Sequence, residues 1–171
     1  MLYNVAQLLK EAVGASRRHD VSEVVEYPEE GWGGVRPTGS ISMLRTPTGI
    51  LVQGQLQVAL TEQCGRCLEP YQQMLTAEIE EEFWPVADVN TGLVLPVPAG
   101  EDIFTINERH LLDLTEALRQ AIWVARPLQP LCQPDCKGLC PNCGLDLNQD
   151  ECGCNIDDTD PRWAALKKLL A

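Results

Sequence analysis

An α+β fold is predicted: an antiparallel β-sheet as core, one long packed helix, short terminal helices and a C-terminal cysteine-rich lobe. Three observations predict it. Apolar and polar residues alternate from Ile50 to Thr61 and again from Leu75 to Phe83, which gives each run one dry and one wet face at the two-residue period of a strand. From Asn107 to Arg126 the apolar residues recur every three or four positions instead, the spacing of a helix with a single buried stripe. Six of the eight cysteines fall between Cys132 and Cys154. A chain of 171 residues can bury about 70% of its unfolded surface. It therefore needs no staples merely to fold, and closely spaced thiols must serve a local purpose.

Taken in order, Asn4 is placed to cap a short helix carrying Val5, Leu8, Leu9 and Ala12, with Gly14 as its stop. Arg17, Arg18 and His19 then read as a solvated helix end. Residues 28–37 are rich in Pro, Gly and Glu around Trp32 and read as a loop. Residues 41–45 are expected to pair with the strand that starts at Ile50, through the turn Thr46-Pro47-Thr48-Gly49. Cys64-Gly-Arg-Cys67 occupies the connection to the next strand, whose Thr76, Glu78, Glu80 and Glu82 line its wet face. Residues 88–100 read as a loop, and 103–106 as a short edge strand. Asn107 is expected to cap the helix 107–126, with His110 in its first turn and Pro127 just past its end. After the cysteines, Asp157, Asp158 and Asp160 before Pro161 announce a terminal helix bearing Trp163, Leu166, Leu169 and Leu170. The division expected is a core over 1–130 and a cysteine-rich lobe over 131–171, packed as one compact unit.

The formal net charge of −12 argues against a protein that coats nucleic acid by charge alone, since phosphate affinity needs clustered Lys and Arg. The opening Met1-Leu-Tyr-Asn-Val has no basic n-region, and no apolar run approaches the roughly 18 residues of a membrane span. The expectation is a cytosolic protein. In that compartment disulfides do not persist, and Cys-x2-Cys pairs bind zinc or perform thiol chemistry.

Zinc asks for four tetrahedral ligands, and short loops between paired cysteines make that shape accessible. Cys140-Pro-Asn-Cys143-Gly144 is such a knuckle, because Gly144 can take the positive φ that turns backbone amides toward the sulfurs. Cys152-Gly-Cys154 supplies a second pair, so one ion can be enclosed by Cys140, Cys143, Cys152 and Cys154. Cys64, Cys67, Cys132 and Cys136 remain for a second site, if the exit of the long helix brings the last two to the hairpin connection. Otherwise Cys132 and Cys136 are unligated, or one ion takes ligands from both groups. Four thiolates leave no open position on the metal, which marks a structural ion rather than a hydrolytic one.

Enzymatic constellations are thin. Only His19 and His110 exist, neither beside a Ser or Cys nucleophile motif. The run Glu78, Glu80, Glu81, Glu82 is read as a solvated face rather than an acid/base pair, and the four tryptophans as packing rather than base-stacking platforms. A thioredoxin-type use of Cys64 and Cys67 would need a helix starting at the first cysteine. Glu69-Pro70 disfavours one.

Several runs together resemble a known family. Cys64-Gly-Arg-Cys67-Leu-x-Pro, the Glu-rich strand ending in Glu82-Phe83, Pro127-Leu-x-Pro130-Leu-Cys132, and Cys136-Lys-Gly-Leu-Cys-Pro-x-Cys-Gly-x-x-Leu-Asn148 are similar to the YceD-type large-subunit ribosomal RNA accumulation proteins. The likeness continues through Cys152-x-Cys154 to Asp160-Pro161-Arg162. It implies a bacterial or chloroplast factor for accumulation of large-subunit (23S-type) rRNA, acting in ribosome assembly without catalysis. The reading that follows is a non-enzymatic assembly factor with one or two structural Zn2+ ions. Arg66 and Lys137 are its candidate contacts to an rRNA precursor or a ribosomal protein, and no membrane or small-molecule substrate is expected. The competing reading is a thiol-based redox sensor or oxidoreductase using Cys64 and Cys67.

Overall fold

The computed structural model describes residues 1–98, 100 and 103–154. These group into two units, one of residues 1–62 and 72–128, the other of residues 63–71 and 129 onward. The expected terminal helix beyond Asp157 lies outside the described residues.

The first unit is mostly β. In chain order it holds β1 (Leu2–Asn4), α1 (Ala6–Lys10), β2 (Ser16–Val21), β3 (Val25–Tyr27), a single 3-10 turn at Pro28–Glu30, β4 (Gly33–Val35), β5 (Thr38–Arg45), β6 (Ile50–Gln63), β7 (Pro70–Pro85), β8 (Phe104–Ile106), β9 (Leu111–Asp113) and α2 (Thr115–Ala125). Strands β6 and β7 run on at their facing ends into residues of the second unit. A seven-stranded sheet has the order β1-β9-β8-β7-β6-β5-β2, and β3 and β4 form a small sheet of their own. The large sheet is curled, so that its two edge strands approach each other and the rings of Tyr3 and His19 lie 5.3 Å apart.

Alternation built the centre of this sheet as expected. Ile50, Val52, Leu56, Val58 and Leu60 of β6 are all buried, and β5 pairs with it antiparallel, Met43 opposite Val52 and Arg45 opposite Ile50. The one break in the inward series is Gly54, opposite Ile41. A Cβ there would stand 2.6 Å from the Ser40 carbonyl oxygen, so the close approach of the two strands requires glycine. On the other face, Gln53 donates to Glu80 (3.0 Å), Gln55 to Glu78 (2.9 Å) and Gln57 to Thr76 (2.9 Å). Glu78 and Glu80 are thus occupied in cross-strand pairs on an exposed face, and Glu82 accepts from the Thr46 and Thr48 hydroxyls at 2.6 Å each.

Four expectations need correction. The sheet is mixed rather than antiparallel, because β8 is an interior strand running parallel to β7, with Phe83 opposite Phe104. The helix 107–126 begins only at Thr115 and has 11 residues. Leu111 and Leu112 are drawn instead into β9, where they pair with Asn4 and Tyr3 of β1. Asn107 does cap, but it caps a turn. Its Oδ1 accepts the Arg109 and Leu111 N–H groups, while His110 sits at φ 57°, a left-handed conformation no helix accommodates. Residues 16–21 are an edge strand and not a helix end, held by six pairings with β5. Finally, residues 25–35 are a small hairpin rather than a loop, and Trp32 packs edge-on against Tyr27 at 5.5 Å.

Helix α2 lays Ala117, Leu118 and Ile122 into the same core as the inner face of the sheet. Its C-terminal end is fixed by Arg126, whose guanidinium grips the buried Glu62 with two bonds of 2.6 and 2.9 Å. The same group lies 4.3 Å from the Trp123 ring centroid. Among the described residues, no helix is long and apolar enough to cross a membrane.

Candidate metal centres

The second unit contains the same short backbone device twice. In Cys64-Gly-Arg-Cys67-Leu68-Glu69, the Cys64 N–H donates to the Glu69 carbonyl (3.0 Å) and the Leu68 N–H to the Cys64 carbonyl (3.0 Å). In Cys140-Pro-Asn-Cys143-Gly144-Leu145, the Cys140 N–H donates to the Leu145 carbonyl (2.8 Å) and the Gly144 N–H to the Cys140 carbonyl (2.9 Å). The residue after the second cysteine is left-handed in both, φ 62° at Leu68 and φ 75° at Gly144. This bend turns amide N–H groups toward the first sulfur, as the Arg66 N–H does at 3.4 Å from Cys64 Sγ.

Around each knuckle a second pair of cysteines closes. The sulfurs of Cys64, Cys67, Cys132 and Cys136 lie within 4.8 Å of one another, as do those of Cys140, Cys143, Cys152 and Cys154. Tetrahedral ligands at Zn–S distances of about 2.3 Å stand roughly 3.8 Å apart. The separations Cys64–Cys136, 3.8 Å, and Cys67–Cys132, 3.7 Å, match that spacing. Cys64 and Cys136 are buried with Cys67, beside Tyr71, Leu131 and Leu139.

The thiols are electrostatically unequal. The Cys64 thiol is lowered to about 6, first by the Cys67 N–H and then by the Cys132 N–H. Cys140 is likewise lowered to about 6, by the Cys143 and Asn142 N–H groups. Their partners move the other way. Although the Cys132 residue is exposed, desolvation of its sulfur and then the crowding of Cys67 and Cys136 push it up to about 12, and the Cys143 sulfur followed by burial pushes Cys154 up to about 11. One thiolate thus forms readily in each group while Cys132 and Cys154 resist, as expected of crowded sulfurs that ionise together only around a cation. The donor set therefore fits a thiophilic divalent metal such as zinc.

All eight cysteines named from sequence fall into these two groups. Of the candidate contact residues, Arg66 is exposed but donates Nη1 to the Cys136 carbonyl at 2.8 Å. Lys137 is exposed, and its backbone N–H donates to Asn148 Oδ1 at 2.8 Å. Spacing gave no warning of Leu68, since nothing in the letters marks a leucine as left-handed. That conformation costs about 1–2 kcal/mol at a non-glycine residue, and the side chain is 53% exposed. After the entropy glycine adds to the unfolded chain, Leu68→Gly is expected to stabilise this unit by about 0.5–1 kcal/mol. Denaturant titration of the metal-loaded protein checks this, and an unchanged or lower midpoint contradicts it.

Over residues 52–170 the chain matches the family model described as large ribosomal RNA subunit accumulation protein YceD. An uncharacterized protein of Mycobacterium tuberculosis is 32% identical over 122 residues, covering 71% of this chain and 56% of that protein. One from Mycobacterium leprae is 29% identical over 123 residues, covering 71% and 54%. The large ribosomal RNA subunit accumulation protein YCED homolog 1, chloroplastic, of Arabidopsis thaliana is 23% identical over 169 residues, covering 86% and 51%. The chain spans about half the length of the curated relatives it matches. No solved structure matches it.

Proposed function

The chain belongs to the YceD family, a family linked to accumulation of large-subunit ribosomal RNA, and from that premise we propose that it is a non-enzymatic ribosome-biogenesis factor. It supports the accumulation and processing of large-subunit rRNA. Two structural zinc ions brace the cysteine-rich unit as a docking element, held by Cys64, Cys67, Cys132 and Cys136 and by Cys140, Cys143, Cys152 and Cys154. The observation that carries this reading is the closure of both groups. Four sulfurs complete the coordination of zinc and leave no place for a reacting water, so the metal supplies shape rather than chemistry.

The partner is the rRNA precursor or a ribosomal protein bound to it, met by the exposed Arg66 and Lys137. A net charge of −12 keeps such contact local and suppresses nonspecific RNA binding. The setting is the bacterial cytoplasm or, for a plastid member, the stroma; the plant relatives are chloroplastic. The competing redox function of Cys64 and Cys67 requires accessible sulfurs, whereas both residues are buried and share their site with two further cysteines.

The test uses the tagged full chain. It is expected to cosediment with precursors of the large subunit, and its deletion to lower large-subunit rRNA relative to small-subunit rRNA. Migration only as free protein, with an unchanged rRNA ratio on deletion, defeats the proposal.

A further inference from the structure

We propose that the two cysteine clusters fill with metal as one cooperative unit, and that Asn148 is the positioning residue that couples them. This rests on the metal reading given above and concerns how the two sites depend on each other.

One stretch of chain serves both clusters. Cys136 belongs to the first and Cys140 to the second, with only Lys137, Gly138 and Leu139 between them. That stretch is fastened on both sides. Toward the first knuckle, the Leu139 N–H donates to the Arg66 carbonyl at 3.1 Å. Gly138, at φ 77°, lies so close that a Cβ would stand 3.0 Å from the same oxygen. Toward the second cluster, Leu139 bridges antiparallel to Asp146, and the Leu147 N–H donates to the Gly138 carbonyl at 2.9 Å.

Asn148 completes the link. It lies in the eight residues between Cys143 and Cys152, a loop whose two ends are tied together only when the second cluster is closed. Asp146 Oδ1 orients it, accepting its backbone N–H at 2.9 Å and its Nδ2 at 2.7 Å. So held, Nδ2 stands 3.4 Å from Cys136 Sγ, and Oδ1 accepts the Lys137 N–H. A residue positioned by one cluster thus donates to a ligand of the other. Hydrogen bonds to a metal ligand from outside the coordination sphere typically change metal affinity about 10–100-fold. Closure of the loop at its ends removes the freedom that would otherwise oppose that bond. By reciprocity, filling the first cluster must favour the second by the same factor.

The experiment takes the full chain, demetallated under reducing conditions and titrated with Co2+, followed by Zn2+ competition. With the second cluster disabled by Cys143→Ser and Cys152→Ser, affinity at the first is expected to fall about 10–100-fold. Asn148→Ala should cause a loss of similar size, and combining it with the serine pair should add little. Asn148→Asp separates positioning from mere loop support, since it keeps the acceptor for the Lys137 N–H and lacks the donor to sulfur. It should shift the sulfur-to-cobalt charge-transfer band of the first cluster to lower energy, as Asn148→Ala does. Gln149→Ala, which loses only a bond to Asp146, should leave band and affinity unchanged.

Two independent isotherms, with the first cluster indifferent to both Asn148 variants, overturn the coupling and leave the metal reading standing. A wild-type chain that takes up no cobalt overturns both. Unchanged melting of the β-sheet unit in each variant identifies a loss as local.

Discussion

Cys136→Ser is expected to empty the cluster formed with Cys64, Cys67 and Cys132 and, on the proposed filling of both clusters with zinc, to lower the metal content from two ions per chain to one or fewer. The side chain is 1% exposed, so a serine hydroxyl there is neither a competent thiolate nor free to reach water. Structural zinc contributes on the order of 10–16 kcal/mol to the folding of small metal-held units. Residues 63–71 and 129–154 offer little apolar packing to replace it, their cluster being three buried cysteines with the partly buried Tyr71, Leu131 and Leu139 against them. The loss should therefore appear twice, as a mass decrease in native mass spectrometry and as rapid protease cleavage between residues 129 and 154. Cys132 is the exposed member of the group, and its serine variant should be the milder of the two. Retention of two ions by Cys136→Ser would show that this sulfur is no ligand.

Phe83→Ala should be the most damaging single change in the β-sheet unit, lowering unfolding free energy by about 3–5 kcal/mol. Phe83 is fully buried, and its ring stacks on Phe104 with centroids 5.2 Å apart and planes inclined by 29°. The pair stands where β8 joins β7 in parallel, so the cavity would open at the least regular seam of the sheet. Chemical denaturation followed by circular dichroism measures the loss, and zinc content should stay at the wild-type value. A loss below about 1 kcal/mol would mean that the neighbours collapse into the space.

Much of the sheet could be read from alternation, because a strand with one wet face writes its period into the letters. Strands β6 and β7 did so, and β5 followed from the turn that joins it to β6. The two Cys-x2-Cys knuckles were legible for a different reason: that spacing leaves the chain few other conformations. What stayed hidden was settled by distant pairing. Residues 16–21 carry no apolar alternation, and only their hydrogen bonding to β5 makes them a strand. Leu111 and Leu112 fit a helical stripe as well as a strand, and the choice was made by β1. Asn107 offers the same side-chain oxygen to a turn as to a helix start, so its capping chemistry could be seen but not its setting. Nor could sequence pair Cys64 and Cys67 with Cys132 and Cys136, since the pairing depends on how the intervening chain folds.

The pairing of Tyr3 with Leu112 has a consequence for biosynthesis. During translation β5 and β6 can zip together soon after they emerge, since only a short turn separates them. Residues 2–4 have no mate until 111–113 have left the exit tunnel. Nascent chains should therefore carry β1 unmatched until β9 has emerged, and β1 should gain resistance to proteolysis only from that point.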